Sequence, residues 1–246
     1  SWAQFSGIDY DWSGRLQRFR AGTNVNLSLQ RNTYVFLESA IVYDKLYEEE
    51  FGLKRLPTRP QGAFLGDPTR ATWQQVFSGN INQTPHKRFN YGMFVGFINN
   101  AFDFDFGSSG PLNPGPGQQF DAEVWGEVKP TDPLRISLSY RKSRLVRNDN
   151  KRRAFDADIV SLRSTYQFSR FLFARMRLDY NSTRNNYAGQ ALFGWNPNPG
   201  TAFYVGYNDD FNYSGHSPFT GQFEPGFQRN GRTFFIRMSY LFRKSI

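Results

Sequence analysis

Side chains able to do chemistry are few in this 246-residue chain, and they are scattered. The two histidines are His86, in the stretch TPHK, and His216, shortly after Asp209 and Asp210. An imidazole beside a carboxylate can serve as a general base, so His216 with those acids is the one constellation that would suit a hydrolase. A solvated histidine is the plainer reading of each. No nucleophile elbow, phosphate loop, HExxH or EF-hand spacing accompanies them. A hydrolase built into a β-wall would draw its site from residues far apart in sequence, and none stands out. Catalysis is therefore not the expectation, and no cofactor is called for.

Carboxylates offer a second chemistry. Glu48, Glu49 and Glu50, with Asp103 and Asp105 in FDFDF, carry hard oxygens of the kind that hold calcium, although solvated loops carry the same residues. The stretch GSSGPLNPGPGQQ from Gly107 reads as an irregular loop. No helix follows it to aim backbone amides at a phosphate.

The charges that do show a pattern are arginines. In RFLFARMRLDY, residues 170–180, large apolar side chains and arginines take turns: Leu172, Ala174, Met176, Leu178 and Tyr180 oppose Phe173, Arg175, Arg177 and Asp179. Period two is the signature of a strand, whose neighbours point to opposite sides. Leu134, Ile136, Leu138 and Tyr140 likewise oppose Arg135, Ser137, Ser139 and Arg141. Phe234, Ile236, Met238, Tyr240 and Phe242 oppose Arg237, Ser239 and Arg243. Phe120, Ala122, Val124 and Val128 oppose Asp121, Glu123, Glu127 and Lys129, and the same rhythm runs through 24–30, 89–97 and 187–195. It falters at 158–161, which suggests a bulge or a strand start.

A strand with one apolar and one charged face suits a wall between two solvents. Aromatic residues make up 18% of the chain while its mean hydropathy is −0.62, a conflict for an ordinary core but not for a barrel in lipid. No run approaches the roughly 18 apolar residues of a membrane helix. Short connections (Arg31–Asn32, TPHK, KPTDP, FSR, NPNPG) alternate with long ones at 44–70, 99–117 and 209–230, the asymmetry of tight periplasmic turns and extended extracellular loops. The expectation is all-β: one domain over 1–246, an antiparallel up-and-down transmembrane β-barrel of about twelve strands in a bacterial outer membrane.

In such a barrel the apolar set faces lipid, because an arginine turned to lipid at midplane costs about 2–4 kcal/mol. The charged residues that then line the lumen are Asp121, Glu123, Glu127, Arg135, Arg141, Arg163, Arg175, Arg177, Asp179, Arg237 and Arg243. Asp121, Glu123 and Glu127 are placed to pair with Arg135 and Arg141 across strands, and Arg163 with Asp179. Two readings of that interior stand side by side: a lumen filled by salt bridges and folded-in loops, or an anion-favouring channel. Transport and surface anchoring both remain open.

The net charge of +9 is strung through strands and not gathered in an arm or motif, which argues against nucleic acid. The expected partners are membrane lipid and lipopolysaccharide. Because residue 1 falls inside the first strand, a preceding domain or a partner protein completes this expectation. Trp2, Trp12, Trp73 and Trp195 lie near strand ends, where rings suit the headgroup zone. The group Phe211, Tyr213, Phe219, Phe223 and Phe227 reads as loop packing or a partner contact, with a sugar-stacking platform as the alternative. A surface β-sheet protein binding polysaccharide is the competing class.

The stretch from Tyr180 to Asn208 also resembles the C-terminal barrel of a bacterial outer-membrane family of unknown function. The matching residues are Tyr180, Asn181 and Ser182, then Arg184 and Asn185, then Trp195, Pro197, Pro199 and Gly200, then Tyr204, Tyr207 and Asn208. Members typically carry a sugar-binding-type β-sandwich before the barrel, and no segment here corresponds to it. The resemblance implies the barrel fold and brings no catalytic residues.

Overall fold

The computed structural model describes residues 1–52, 55–106, 110–198, 200–216 and 221–240. Twelve strands follow one another: β1 (Trp2–Tyr10), β2 (Leu16–Leu29), β3 (Thr33–Tyr47), β4 (Thr69–His86), β5 (Phe89–Asp103), β6 (Gly115–Thr131), β7 (Leu134–Arg147), β8 (Arg153–Ser169), β9 (Leu172–Asn181), β10 (Asn186–Asn198), β11 (Thr201–His216) and β12 (Phe223–Tyr240). They form one up-and-down sheet in which sequence neighbours are sheet neighbours. Strand number, antiparallel pairing and order are those expected from the alternating pattern. A single 3-10 turn at Glu48–Glu50 is the only helical element among the described residues.

Connections alternate in length. Those after even-numbered strands are two or three residues long, and those after odd-numbered strands run from four residues to the 21 between Tyr47 and Thr69. After β2, Arg31 (φ 58) and Asn32 (φ 51) both take the left-handed backbone that a tight hairpin turn needs. The strands run further into the turns than the sequence suggested: β4 includes Thr84, Pro85 and His86, leaving two residues before β5.

One sequence-based loop is overturned. Residues 209–230 are mostly strand, with Asp209 opposite Arg232, Tyr213 opposite Phe227 and His216 opposite Phe223. The alternation continues there as Asp210, Asn212 and Ser214 against Phe211 and Tyr213. Two register shifts, after Asp210 and after Tyr213, with Ser214 at φ 49, break its period. At 158–161, β8 runs through without ending. The geometry alternates while the chemistry does not: Asp158 accepts a hydrogen bond from the Tyr140 hydroxyl at 2.6 Å on the apolar face, and Ile159 sits on the other side.

The chain divides into two compact units. Unit 1 comprises 1–83, 93–122 and 142–156; unit 2 comprises 84–92, 123–141 and 157–246. The buried apolar side chains of unit 1 come from strands and loops alike. Ala40, Val42, Ala101 and Leu145 are buried with Phe64, and Phe64 bridges to Leu112. Phe51 packs on Phe64 (5.2 Å between ring centroids) and on Phe104 (5.9 Å).

In unit 2, Phe173 is the one buried large apolar side chain among the described residues. Its ring covers Gly194 directly opposite, as Phe235 covers Gly206 and, in unit 1, Phe5 covers Gly22. A Cβ on any of these glycines would collide with the ring.

Candidate functional site: a two-faced wall

Alternation sorts each strand into an apolar and a charged face. On β5, Phe89, Tyr91, Met93, Val95 and Phe97 are each 37–45% exposed. Leu37, Ile41, Trp73 and Phe77 in unit 1, and Leu138, Met176, Leu178, Phe193, Ile236 and Met238 in unit 2, are likewise exposed. An apolar surface of this extent is far beyond what a soluble monomer leaves in water.

The opposite face differs between units. In unit 1 its charges are paired. Arg18 donates to Asp44 at 2.6 Å, and Gln74 donates to the same carboxylate at 2.8 Å. Arg147, 2% exposed, holds Asp149 through two hydrogen bonds (3.0 and 2.7 Å), Asp103 at 3.2 Å and the Asn113 carbonyl at 2.8 Å. Arg147 holds the Asp149 carboxyl, in the β7–β8 connection, down at about 2.

The residues expected in the lumen fall as follows. Arg141 donates to Glu123 at 2.5 Å, and Arg135 lies 3.5 Å from Glu127. Asp121 accepts from Gln119 at 2.7 Å and from the Ser143 hydroxyl, not from an arginine. The expected Arg163–Asp179 pair is replaced: Asp179 accepts from Arg177, two residues before it on the same face, at 2.6 Å, and from Ser161. Arg163 is instead directly opposite Arg177. Arg175 lies opposite Thr165 and places its guanidinium 4.6 Å over the Phe173 ring. Arg237 lies opposite Tyr204. Among the described residues no acid reaches Arg163, Arg175 or Arg237. Arg243 lies outside the described residues.

These arginines line two open recesses. One, of about 450 Å³, is bounded by Arg163, Arg175, Arg177, Gln190 and Asn208. The other, of about 570 Å³, is bounded by Phe173, Arg175, Tyr204 and Arg237. Guanidinium and amide donors converge on both, the equipment for holding an anion.

Among the described residues, His86 and the loop acids do not assemble a site. The His86 imidazole Nδ1 accepts the Arg88 backbone N–H at 3.2 Å in its turn. His216 ends β11, seven residues along an extended strand from Asp209, and Asp209 is engaged by arginines. Glu48 takes Arg55 at 2.9 Å, and Asp103 and Asp105 take Arg152. Among the described residues no three acids or histidines converge as a metal cage.

One cluster is not visible in the sequence analysis because Asp209 and Arg229 fall within the expected 209–230 loop. On the apolar face of β11–β12, Asp209 accepts from Tyr207 (2.5 Å), Arg229 (3.0 Å) and Arg232 (3.2 Å). Beside it an aromatic column runs from Tyr180 to Tyr187 (4.8 Å), Phe227 (5.5 Å) and Tyr213 (5.0 Å). Phe219 of the same aromatic group lies outside the described residues. Alternation of Asp209 with Tyr207 and Phe211, and of Arg232 with Phe234, was the signal that would have found it.

A single antiparallel sheet with an exposed apolar face and a charged opposite face is the class that fold and site define. No family model matches the chain, and no curated protein matches it. Among solved structures it is similar to in-vitro folded OmpT, an outer membrane protein of Vibrio cholerae, at 12% identity over 98% of this chain and 94% of that one, with a TM-score of 0.40. It is also similar to OmpT expressed in the outer membrane of the same organism, at 12% identity over 97% and 94%, with a TM-score of 0.34.

Proposed function

We propose that the chain is an integral β-barrel of the bacterial outer membrane whose interior wall favours anions and serves their passage. The apolar faces of the twelve strands lie in lipid, and the charged faces line the lumen. The motif residues from Tyr180 to Asn208 support a place in the outer-membrane family of unknown function that they resemble. The observation that carries the anion preference is the placement of Arg163 opposite Arg177, with Arg175 and Arg237 on the same face and, among the described residues, Asp179 the one acid paired with any of the four. Like charges directly opposed in a sheet are destabilising. A wall that keeps them concentrates anions beside it.

The test is electrical. Purified protein inserted in a planar bilayer under a potassium chloride gradient gives a reversal potential of anion-selective sign. Exchanging Arg163, Arg175 and Arg177 for glutamine moves it toward zero. Cation selectivity, or a potential unmoved by the three exchanges, contradicts the anion reading. Solubility without detergent, with no heat-dependent shift in electrophoretic mobility, contradicts the membrane reading.

A further inference from the structure

The apolar face of unit 2 carries charges that a lipid-facing surface excludes unless they have a polar partner. Asp209 is 9% exposed, and its two oxygens are shared between Arg229 and Arg232. Two guanidiniums and one carboxylate leave a net positive charge. Both are held in place from below: Arg229 lies 5.0 Å over the Phe211 ring and Arg232 lies 5.7 Å over Tyr207. Their side chains are still 44% and 51% exposed. Arg229 uses one N–H on Asp209 and Arg232 two, so donors on both remain for a ligand among the described residues.

Depth and neighbours identify what reaches them. Along β11 the outward residues are Phe203, Val205 and Tyr207 before Asp209. Asp209 is thus eight residues from Thr201, roughly 27 Å along a strand rising about 3.4 Å per residue. Tilted as barrel strands are, that length brings the cluster toward the edge of an apolar band about 25 Å tall. Gly189, opposite Asp209 on β10, adds no side chain on that flank. The column Tyr180, Tyr187, Phe227 and Tyr213 is the aromatic neighbour expected at headgroup level. The edge is the one served by the longer connections.

We infer that Arg229 and Arg232, held over Phe211 and Tyr207 and only partly neutralised by Asp209, seat the phosphate of an outer-leaflet glycolipid headgroup whose acyl chains lie on the face formed by Phe203, Val205, Phe234 and Ile236. The inference rests on the membrane reading above. A phosphate supplies the acceptors and the negative charge that one carboxylate does not. The adjoining apolar face excludes a soluble anion's hydration shell and accepts a lipid's tails.

Native mass spectrometry of the full chain in phosphatidylcholine nanodiscs, with bis-phosphorylated lipid A as the probe, tests it. Wild-type protein retains lipid A over its dephosphorylated form. R229Q and R232Q each lose about tenfold of that retention, the scale of a charge-assisted hydrogen bond. D209N retains more than wild type, a sign that loss of mere structural support would not produce. R88Q, in the β4–β5 turn, retains as much as wild type. If one of the single variants fails to fold, the other and D209N decide. Equal retention of both lipids, unchanged retention by R229Q and R232Q, or displacement by millimolar inorganic phosphate overturns the inference while leaving the membrane reading intact. A chain that enters no nanodisc overturns both.

Discussion

Unit 1 and the β8–β12 wall of unit 2 use the same residue type in opposite ways. In unit 1, Arg147 is 2% exposed and every direction it faces holds an acceptor: Asp149, Asp103 and the Asn113 carbonyl. In unit 2, Arg163 faces Arg177 across the strand pair, and Arg175 has an aromatic face and no acid. In unit 1 the loops carrying Phe51, Phe64 and Phe104 pack on one another and the Asn113 carbonyl accepts from Arg147, whereas open recesses adjoin the second set. An arginine count cannot separate charge that holds a fold from charge that waits for a ligand. Pairing can.

The contrast breaks first at Arg147. Replacing it with alanine leaves Asp149 without its cation and Asp103 with Arg152 alone, and costs about 3–5 kcal/mol, as removal of one partner from a buried pair does. A urea midpoint of the heat-modifiable band measures this, and a loss below 1 kcal/mol would put unit 1 in the same class as unit 2. Met176→Arg turns a charge onto the apolar face beside Arg175 and costs about 2–4 kcal/mol near midplane. The same change costing nothing would mean that the face meets water.

Acid acts on unit 1 through Asp149. Its folded value of about 2 lies below the roughly 3.9 of an unfolded aspartate. The stability it contributes is therefore complete above about pH 5 and declines as pH falls toward 2. Unfolding midpoints measured from pH 6 to pH 2 should drop less for D149N than for wild type. Smallest of all is Arg163→Gln, expected within about 0.5 kcal/mol of wild type, since it removes a charge that opposes another and has no acid partner. Its consequence should appear in ion selectivity alone, and a large loss of stability would show that Arg163 has a structural partner after all.

Alternation made the sheet legible because each strand meets two media and its side chains record both. The faces of 134–141 and 170–180 and the partners Glu123–Arg141 and Glu127–Arg135 could be read that way. Asp158 and Ile159 could not: a tyrosine hydroxyl on the neighbouring strand lets an aspartate sit on the apolar side, and no local pattern reports a partner 18 residues away. The Arg163–Asp179 pairing failed for a related reason. Opposite charges on adjacent strands suggest contact, but register decides, and register set Arg177 opposite Arg163. The β11–β12 hairpin was hidden by its bulges, and with it the cluster at Asp209. The packing of Phe51 on Phe104 and the bridge from Phe64 to Leu112 belong to loops, where period carries no information.

The phenylalanines lying over Gly22, Gly194 and Gly206 bear on how such a wall finds its alignment during assembly. A slip of one residue between strands exchanges the two faces and is opposed by solvent on both sides. A slip of two is the dangerous error, because it keeps every apolar residue in place. Here that error drives Phe173 against Leu192 or Asn196 in place of Gly194, Phe235 against Tyr204 or Asn208, and Phe5 against Arg20 or Asn24. Each ring fits at one notch only, so these hairpins check their own alignment sterically, at the one step size that hydrophobicity leaves unguarded.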